Sequence, residues 1–382
     1  MMKESRAADH ANARSIAPGA SLSGLIANSA GVLPARRTQP WRARRHSFSR
    51  QRSRHVFGAL DLGTNNCRLL IAKCSDHPGR PFQIIDAFSR VVRLGEGLTR
   101  SGQLDAAAMD RTLSALSICA DKLARRGVTQ VRSVATEACR QAANCAEFVR
   151  RVYDETGLAL DIITPAEETR LVVLGCQTLI DREAEQTLVF DIGGGSTEVA
   201  LLRMNDANAG PGNDWQMDIW LSIPWGVVSL AESESEDCRD APARMAAYTR
   251  MKDRVAQYLP PIARRLRSRP HLLGASGTVT TLASLNMGLP QYDRQQVDGT
   301  WVATAELVAL AHELAAKSAA ERARIPGINS NRAELLVAGA AILEALVGLG
   351  VAPRLRVADR GIREGILRSM FARADGIHHD AP

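Results

Sequence analysis

The feature that most constrains this chain is an internal repeat. Val56-Phe57-Gly58-Ala59-Leu60 runs apolar into Asp61-Leu62-Gly63-Thr64-Asn65-Asn66, and a second apolar run, Leu69-Leu70-Ile71-Ala72, follows at once. The pattern returns at Thr187-Leu188-Val189-Phe190, Asp191-Ile192-Gly193-Gly194-Gly195-Ser196-Thr197 and Val199-Ala200-Leu201-Leu202. Each copy reads as a β-hairpin closed by a glycine turn. Such self-similarity implies a duplicated domain. A chain of 382 residues is also longer than one core needs, so two lobes with a cleft between them are expected.

The surrounding pattern alternates between strand and helix, which gives an α/β class. After the first hairpin come a strand over Gln83 to Arg93, a helix over Asp105 to Arg126, a strand over Gln130 to Ala135 and a helix over Ala146 to Thr156. A strand at Leu160 to Thr164 and a helix at Glu167 to Leu179 complete the first lobe. The second hairpin is followed by a loop at Ala207 to Asp214, a strand at Trp215 to Ile223 and a polar connection at Glu232 to Pro242. Helices are expected at Ala243 to Ser268, Thr304 to Ala316 and Arg332 to Leu349. A last strand at Arg354 to Ala358 leads into a closing helix at Ile362 to Phe371. The organisation is thus a leader (1–55), a first lobe (56–182), a second lobe (183–373) whose closing helix is a candidate to pack back on the first, and a frayed tail (374–382).

Composition excludes several function classes. The chain is 45% hydrophobic and 23% charged, close to the globular average. Its longest apolar stretch, Leu335 to Val351, carries Glu344 in the middle, so it reads as a buried core helix and no membrane association is expected. Seven cysteines (Cys67, Cys74, Cys119, Cys139, Cys145, Cys176, Cys238) lack CxxC or zinc spacing, and no secretory signal is evident. They imply a reducing cytoplasm and packing roles. The net charge of +7 sits in residues 1–55, where eleven Lys or Arg face only Glu4 and Asp9. Disorder is the compositional reading of that leader; an electrostatic arm for a polyanion and a misplaced start codon are the alternatives. The body is near neutral and aromatic residues make up 4% of the chain, which speaks against a nucleic-acid reader.

The turns carry chemistry. Glycine removes the Cβ that would block an anion and exposes consecutive N–H donors, so two facing turns can clamp a phosphate chain. Asp61 and Asp191 are natural places for a hydrated Mg²⁺ bridging phosphate oxygens. One such turn alone also closes plain hairpins. Two in register across a repeat are more telling. The strand-to-helix segment Ser133 to Asn144 contains Arg140, whose fork of donors suits phosphate, although a lone arginine is more often simply exposed. Glu167 and Glu168 stand at a helix start, as N-terminal acids or as a carboxylate for a water attacking phosphorus. Leu272-Leu273-Gly274-Ala275-Ser276-Gly277-Thr278 is a further strand and small-residue turn that suits an anion or a ribose.

Taken together, DLGTNNCRLLIA, RVVRLGEGL, VATEACRQAANCAEFV, EETRL, VFDIGGGSTEVAL, GASGTVTTLA and DRGIREGIL resemble, in order and spacing, the exopolyphosphatase / guanosine pentaphosphate phosphohydrolase (Ppx/GppA) phosphatases from about Phe57 to Phe371. The resemblance implies duplicated actin-like (ribonuclease H-like) domains in the short, two-domain form. It implies that Glu168 is the general base, that Arg140 binds the phosphate under attack, and that Asp191 and Glu198 hold Mg²⁺ or orient water. Asp61, Gly63, Thr64, Asn65 and Asn66 would form the first phosphate loop with Arg68 beside it, and Gly193, Gly194, Gly195, Ser196 and Thr197 the second, with Gly274, Ser276 and Gly277 adding to the clamp. Thr164-Pro165 and Thr169 depart from the family's usual Ser-Gly and alanine; proline is sterically welcome at a helix start, so Glu168 is still presented. The expected activity is release of orthophosphate from inorganic polyphosphate, with guanosine pentaphosphate hydrolysis as the near alternative and an actin-like ATPase or kinase as the distant one. A homodimer is a family-level expectation.

Overall fold

A computed structural model describes residues 55–75, 81–205, 215–234, 240–267, 270–350 and 352–374. The expectations for residues 1–54, for the loop at 207–214, for Cys238 and for the tail from 375 onward lie outside the described residues.

The repeat is realised as two sheets with one strand order. In lobe I, β1 (Val56–Leu62), β2 (Asn66–Cys74), β3 (Phe82–Val91), β4 (Gln130–Ala135) and β5 (Leu160–Ile162) lie in the order β3-β2-β1-β4-β5. Lobe II has β6 (Gln186–Ile192), β7 (Thr197–Met204), β8 (Trp215–Ile223), β9 (His271–Ala275), β10 (Trp301–Ala303) and β11 (Arg354–Ala358), ordered β10-β11-β9-β6-β7-β8. In both sheets three strands meander antiparallel and the next two run parallel to the first. This is the duplicated actin-like α/β architecture. β10 was not anticipated, because three residues are too short to show a period. It adds a sixth strand to lobe II through antiparallel pairing with β11.

The principal helices are α1 (Ala106–Arg125), α2 (Glu137–Gln141), α3 (Cys145–Thr156), α4 (Pro165–Cys176), α5 (Ala241–Ala256), α6 (Gly277–Asn286), α7 (Thr304–Ala316), α8 (Leu336–Val347) and α9 (Ile362–Ala374). Three differ from the expected bounds. α4 begins two residues before Glu167, since Thr164 Oγ1 accepts the Glu167 amide at 3.2 Å and Pro165 occupies the first helical position. The helix expected to reach Ser268 stops at Ala256, and Pro260 starts a separate turn, because prolines lack the N–H an interior helical position needs. The helix expected from Arg332 starts at Leu336, behind a separate turn at Ser330–Ala333. A helix at Val227–Ser233, for which nothing was foreseen, also follows β8 and runs into the start of the expected connection.

α8 is buried in the core of lobe II, as its alanines and aliphatics require, and among the described residues no helix is long and apolar enough to cross a membrane. A second apolar cluster joins the lobes: Phe57, Val134 and Leu171 from lobe I meet Val189, Leu202 and Leu273 from lobe II. α9 leaves lobe II and closes over this seam. Its Phe371 ring lies 4.6 Å from Phe57 and 5.3 Å from Phe82. α9 and α4 approach so closely that a Cβ on Gly365 would strike the Leu171 carbonyl, and one on Gly175 the Gly361 carbonyl. Burying a Phe or Leu here is worth about 1.5–3 kcal/mol each, so the seam is a structural joint that holds the floor of the cleft.

Candidate active site

The two turns are closed by the same bond, Gly63 N to Asn66 O at 2.9 Å and Gly193 N to Ser196 O at 3.0 Å. In each lobe the segment after the third strand then takes up the turn's carbonyls. Val92 and Arg93 donate to Asn65 O, and Gly95 to Thr64 O; Val227 donates to Gly193 O, and Val228 to Gly194 O. Among the described residues the amides of Thr64, Asn65, Gly194 and Gly195 donate to no protein acceptor. The carbonyls being spent, each turn offers the cleft its donors. Both line one cavity of about 120 Å³. They also touch one another: a Cβ on Gly195 would lie 2.8 Å from Thr64 Oγ1, and one on Gly194 2.8 Å from Thr64 Cβ. Only glycine permits that approach.

Strand register sets the carboxylates. Across the hairpin of lobe I, Asp61 faces Arg68 and Arg68 faces Ser89. Across that of lobe II, Asp191 faces Glu198 and Glu198 faces Ser222, whose hydroxyl donates to Glu198 at 2.9 Å. Residues directly opposite share a sheet face, so each lobe aims an aspartate, a charged residue and a serine in one row.

Glu168, in the first turn of α4, is buried and lines the same cavity as both glycine turns. Arg140, at the end of α2, holds it: Nη1 donates to Glu168 at 2.7 Å and to the Ile163 carbonyl at 2.9 Å. Its Nε and Nη2 donate to Glu137 at 2.9 and 2.5 Å. A guanidinium has five N–H donors, so Arg140 retains one, although Arg140 itself is not among the residues that line the cavity. Glu137 thereby belongs to the site, lining its cavity and closing on Gly195, where a Cβ would lie 3.0 Å from its Cγ. Sequence reasoning passed over it. An acid three residues before a basic residue on a helix was the available signal. Glu167 points elsewhere, to Arg132 and Arg170.

Two buried carboxylates, Glu168 and Glu198, and two half-buried ones, Asp61 and Asp191, crowd this space. Burial, and then the charge of Glu198, push Glu168 well above the ordinary carboxylate range despite Arg140. Burial raises Asp61. Burial, helped by Glu168, pushes Asp191 up to about 7. Burial takes Glu198 to about 7 as well, against the opposing charge of Arg140. Such crowding calls for a cation. Among the described residues no three acidic, histidine or cysteine side chains converge as a dry metal cage would. Mg²⁺ does not need one, because it keeps several waters and takes one or two carboxylates. Two buried atoms of the first turn, Thr64 Oγ1 and Asn65 Oδ1, have no protein partner. A hydroxyl suits a phosphate oxygen and an amide oxygen suits a metal-bound water, so the donor set fits a hydrated ion with phosphate.

The remaining expected residues divide. Ser276 and Gly277 line the cavity, with Ser276 Oγ capping α6 through Val279 N at 2.9 Å. Gly274 does not line it: this residue lies inside β9, where a Cβ would meet the Phe190 ring at 2.6 Å, so its smallness serves sheet packing. Thr197 is buried and gives its hydroxyl to the Trp225 carbonyl at 2.7 Å. Arg332 and Thr281, unforeseen, complete the wall, joined by a 2.9 Å bond.

A family model described as the Ppx/GppA phosphatase family matches residues 70–374. Among solved structures, an exopolyphosphatase from Cytophaga hutchinsonii is 25% identical with a TM-score of 0.73, over 84% of this chain and 98% of its own. A Ppx/GppA family member from Aquifex aeolicus is 27% identical with a TM-score of 0.68, over 85% and 99%.

Proposed function

Because the chain belongs to the Ppx/GppA phosphatase family, we propose that it hydrolyses terminal phosphoanhydride bonds and releases orthophosphate from inorganic polyphosphate. The observation that carries this reading is a buried glutamate, Glu168, in the same cavity as both glycine turns and bonded to a fixed arginine. The amides of Thr64, Asn65, Gly194 and Gly195 would cradle the terminal phosphoryl group and hold it in line with a water. Glu168 takes the proton of that water. Burial makes its carboxylate more basic, which matches it to a proton transfer near neutral pH. Arg140, itself held by Glu137, keeps the carboxylate aimed while its charge is lost, and its one remaining N–H would be available to charge that develops on phosphorus oxygens. A hydrated Mg²⁺ ion, taking one or two of Asp61, Asp191 and Glu198 directly and the rest through its waters, would supply charge neutralisation for the phosphate chain. The six described cysteines are free thiols, which suits a reducing cytoplasm.

Purified full-length protein, given long-chain polyphosphate, guanosine pentaphosphate and ATP with and without Mg²⁺, is expected to release orthophosphate fastest from polyphosphate and only with the metal. Faster release from guanosine pentaphosphate would transfer the same mechanism to that substrate. Release from none of the three would sink the enzyme reading.

A further inference from the structure

The hydrolytic mechanism uses no thiol, yet two cysteines stand beside its arginine. Cys139 immediately precedes Arg140 in α2, and Cys145 opens α3. Only Ala142-Ala143-Asn144 separates the two helices. That short connection brings both thiols into the apolar cluster of lobe I, where they share a hydrogen bond. Cys139 is 3% and Cys145 7% exposed, whereas Cys67, Cys119 and Cys176 are closed off at 0%.

The two members of the pair differ in character. Cys145 occupies the first position of a helix of 12 residues, whose amide end favours an anion. The hydrogen bond from Cys139 draws the Cys145 thiol below its ordinary value, against the opposing effect of burial. The same bond, with burial, pushes Cys139 up. A thiolate that accepts from a neighbouring thiol is the arrangement of an attacking and a resolving cysteine. A second close pair, Cys67 and Cys119 at 3.9 Å, lacks it: their mutual bond and then burial push Cys67 up, and neither sulfur reaches solvent.

The surroundings decide which helix gives way when the sulfurs approach. Asn144 exchanges two hydrogen bonds with Leu104, at 2.8 and 3.0 Å, and the Ala143 amide donates to Gly102 at 3.0 Å. Phe148 and Val152 anchor α3 further in the core. α2 is a single turn of 5 residues, and its Arg140 holds Glu168 at 2.7 Å. Drawing the sulfurs from hydrogen-bond contact to a covalent bond of about 2.05 Å therefore shifts α2, and the guanidinium with it.

We propose that Cys139 and Cys145 form an oxidative modification site, in which hydrogen peroxide joins them in a disulfide that pulls Arg140 away from Glu168. The Cys145 thiolate attacks one peroxide oxygen, the O–O bond breaks, hydroxide leaves and a sulfenic acid remains. The Cys139 sulfur then attacks the Cys145 sulfur, the S–O bond breaks, and the Cys139 proton leaves with that oxygen as water. With the proton that Cys145 gave up taken by the hydroxide, two thiols and one peroxide give one disulfide and two waters. A dithiol reductant reverses the bond by exchange. The consequence for rate rests on the proposed function; formation of the bond does not.

The test exposes reduced full-length protein to hydrogen peroxide, for the wild type, Cys139→Ala, Cys145→Ala and, as a control, Cys74→Ala. Cleavage after arginine separates Ser133–Arg140 from Gln141–Arg150, so the disulfide is read directly as a linked pair of peptides. Wild type and Cys74→Ala are expected to yield the linked pair and to lose roughly 10- to 100-fold in kcat for polyphosphate, with KM little changed and the rate regained in dithiothreitol. Cys139→Ala and Cys145→Ala are expected to keep the reduced rate and to resist peroxide. The linked pair is read on the wild type alone, so a variant that fails to fold does not remove the test. Absence of the pair, or equal inactivation of both alanine variants, overturns the site. A linked pair with unchanged kcat overturns the coupling to Arg140. A linked pair in a protein that hydrolyses no phosphate substrate even when reduced would instead overturn the proposed activity and spare the modification site.

Discussion

Compared strand by strand, the two hairpins are the same object with one charge reversed. Asp61 corresponds to Asp191, the Gly63 turn to the Gly193 turn and Ser89 to Ser222, yet Arg68 stands where lobe II has Glu198. The junctions that follow diverge too. β4 and β5 lead into helices bearing Glu137, Arg140 and Glu168, whereas β9 and β11 lead into Ser276-Gly277 and Arg363-Glu364. Duplication supplied two equivalent glycine turns with no new architecture. Divergence at a few aligned positions then put Glu137, Glu168 and the cations Arg68 and Arg140 in lobe I, and Glu198 with Arg332 and Arg363 in lobe II, so the cleft is chemically asymmetric although its frame is nearly symmetric.

The sharpest way to break that contrast is Glu168→Gln. Loss of the proton acceptor is expected to cut kcat by roughly 10²- to 10⁴-fold while polyphosphate binding, read by titration, stays close to wild type. A variant that kept most of its rate would move the base elsewhere. The next test compares the reversed pair. Glu198→Gln is expected to raise the Mg²⁺ concentration for half-maximal activity by roughly 10- to 100-fold, and Arg68→Gln to raise KM with little effect on the Mg²⁺ midpoint. Equal metal dependence in both would erase the distinction drawn between the rows.

Contact between the turns is tested by Gly195→Ala, whose Cβ is driven between Thr64 and Glu137. Overpacking there is expected to cost about 1–3 kcal/mol in denaturant unfolding and to raise KM, whereas Asn65→Ala, the aligned change in lobe I, should be milder. A subtler test is the pH dependence of stability without metal. Asp191 and Glu198, with folded pKa values of about 7, hold protons that the unfolded chain has released above about pH 4. Their contribution therefore falls as pH rises from about 4 to 7 and levels off above that. In chelator, Tm should drop between pH 5 and 7, and Mg²⁺ should flatten the slope; a Tm that climbs over this window would count against crowded carboxylates. Groups held low, such as Asp86 at about 2 beneath Lys122 and Arg126, keep their full contribution across this window and lose it only as pH falls from about 4 to about 2. The smallest effect is expected for Ser276→Ala, about 1 kcal/mol from a lost helix cap, seen as a modest shift in Tm.

Much of the frame was legible because its signals are local. The Asp-x-Gly turns, the alternation of strands and helices and the buried α8 all follow from period and punctuation within a few residues. One failure arose where local pattern is silent, β10 being too short to show a period; the other passed over a signal that is written locally, the Pro260-Pro261 break inside a helical run. The site divides the same way. Asp61, Asp191 and Glu168 stood out beside turns and at a helix start. Gly274 looked like part of an anion turn because small residues surround it, and only the Phe190 ring pressed against it shows that its smallness belongs to the sheet.

By itself the sequence determined the duplication, the two glycine turns and the family, since a repeated strand, glycine turn and strand is written in consecutive residues. Tertiary structure decided which charges meet. Arg140 and Glu168 are 28 residues apart and touch at 2.7 Å only because β4 and β5 are parallel neighbours. Arg68 and Arg363 face one cavity only because α9 crosses back from lobe II to lobe I. Coulomb interactions depend on separation in space and on burial, and neither quantity is a function of spacing along the chain.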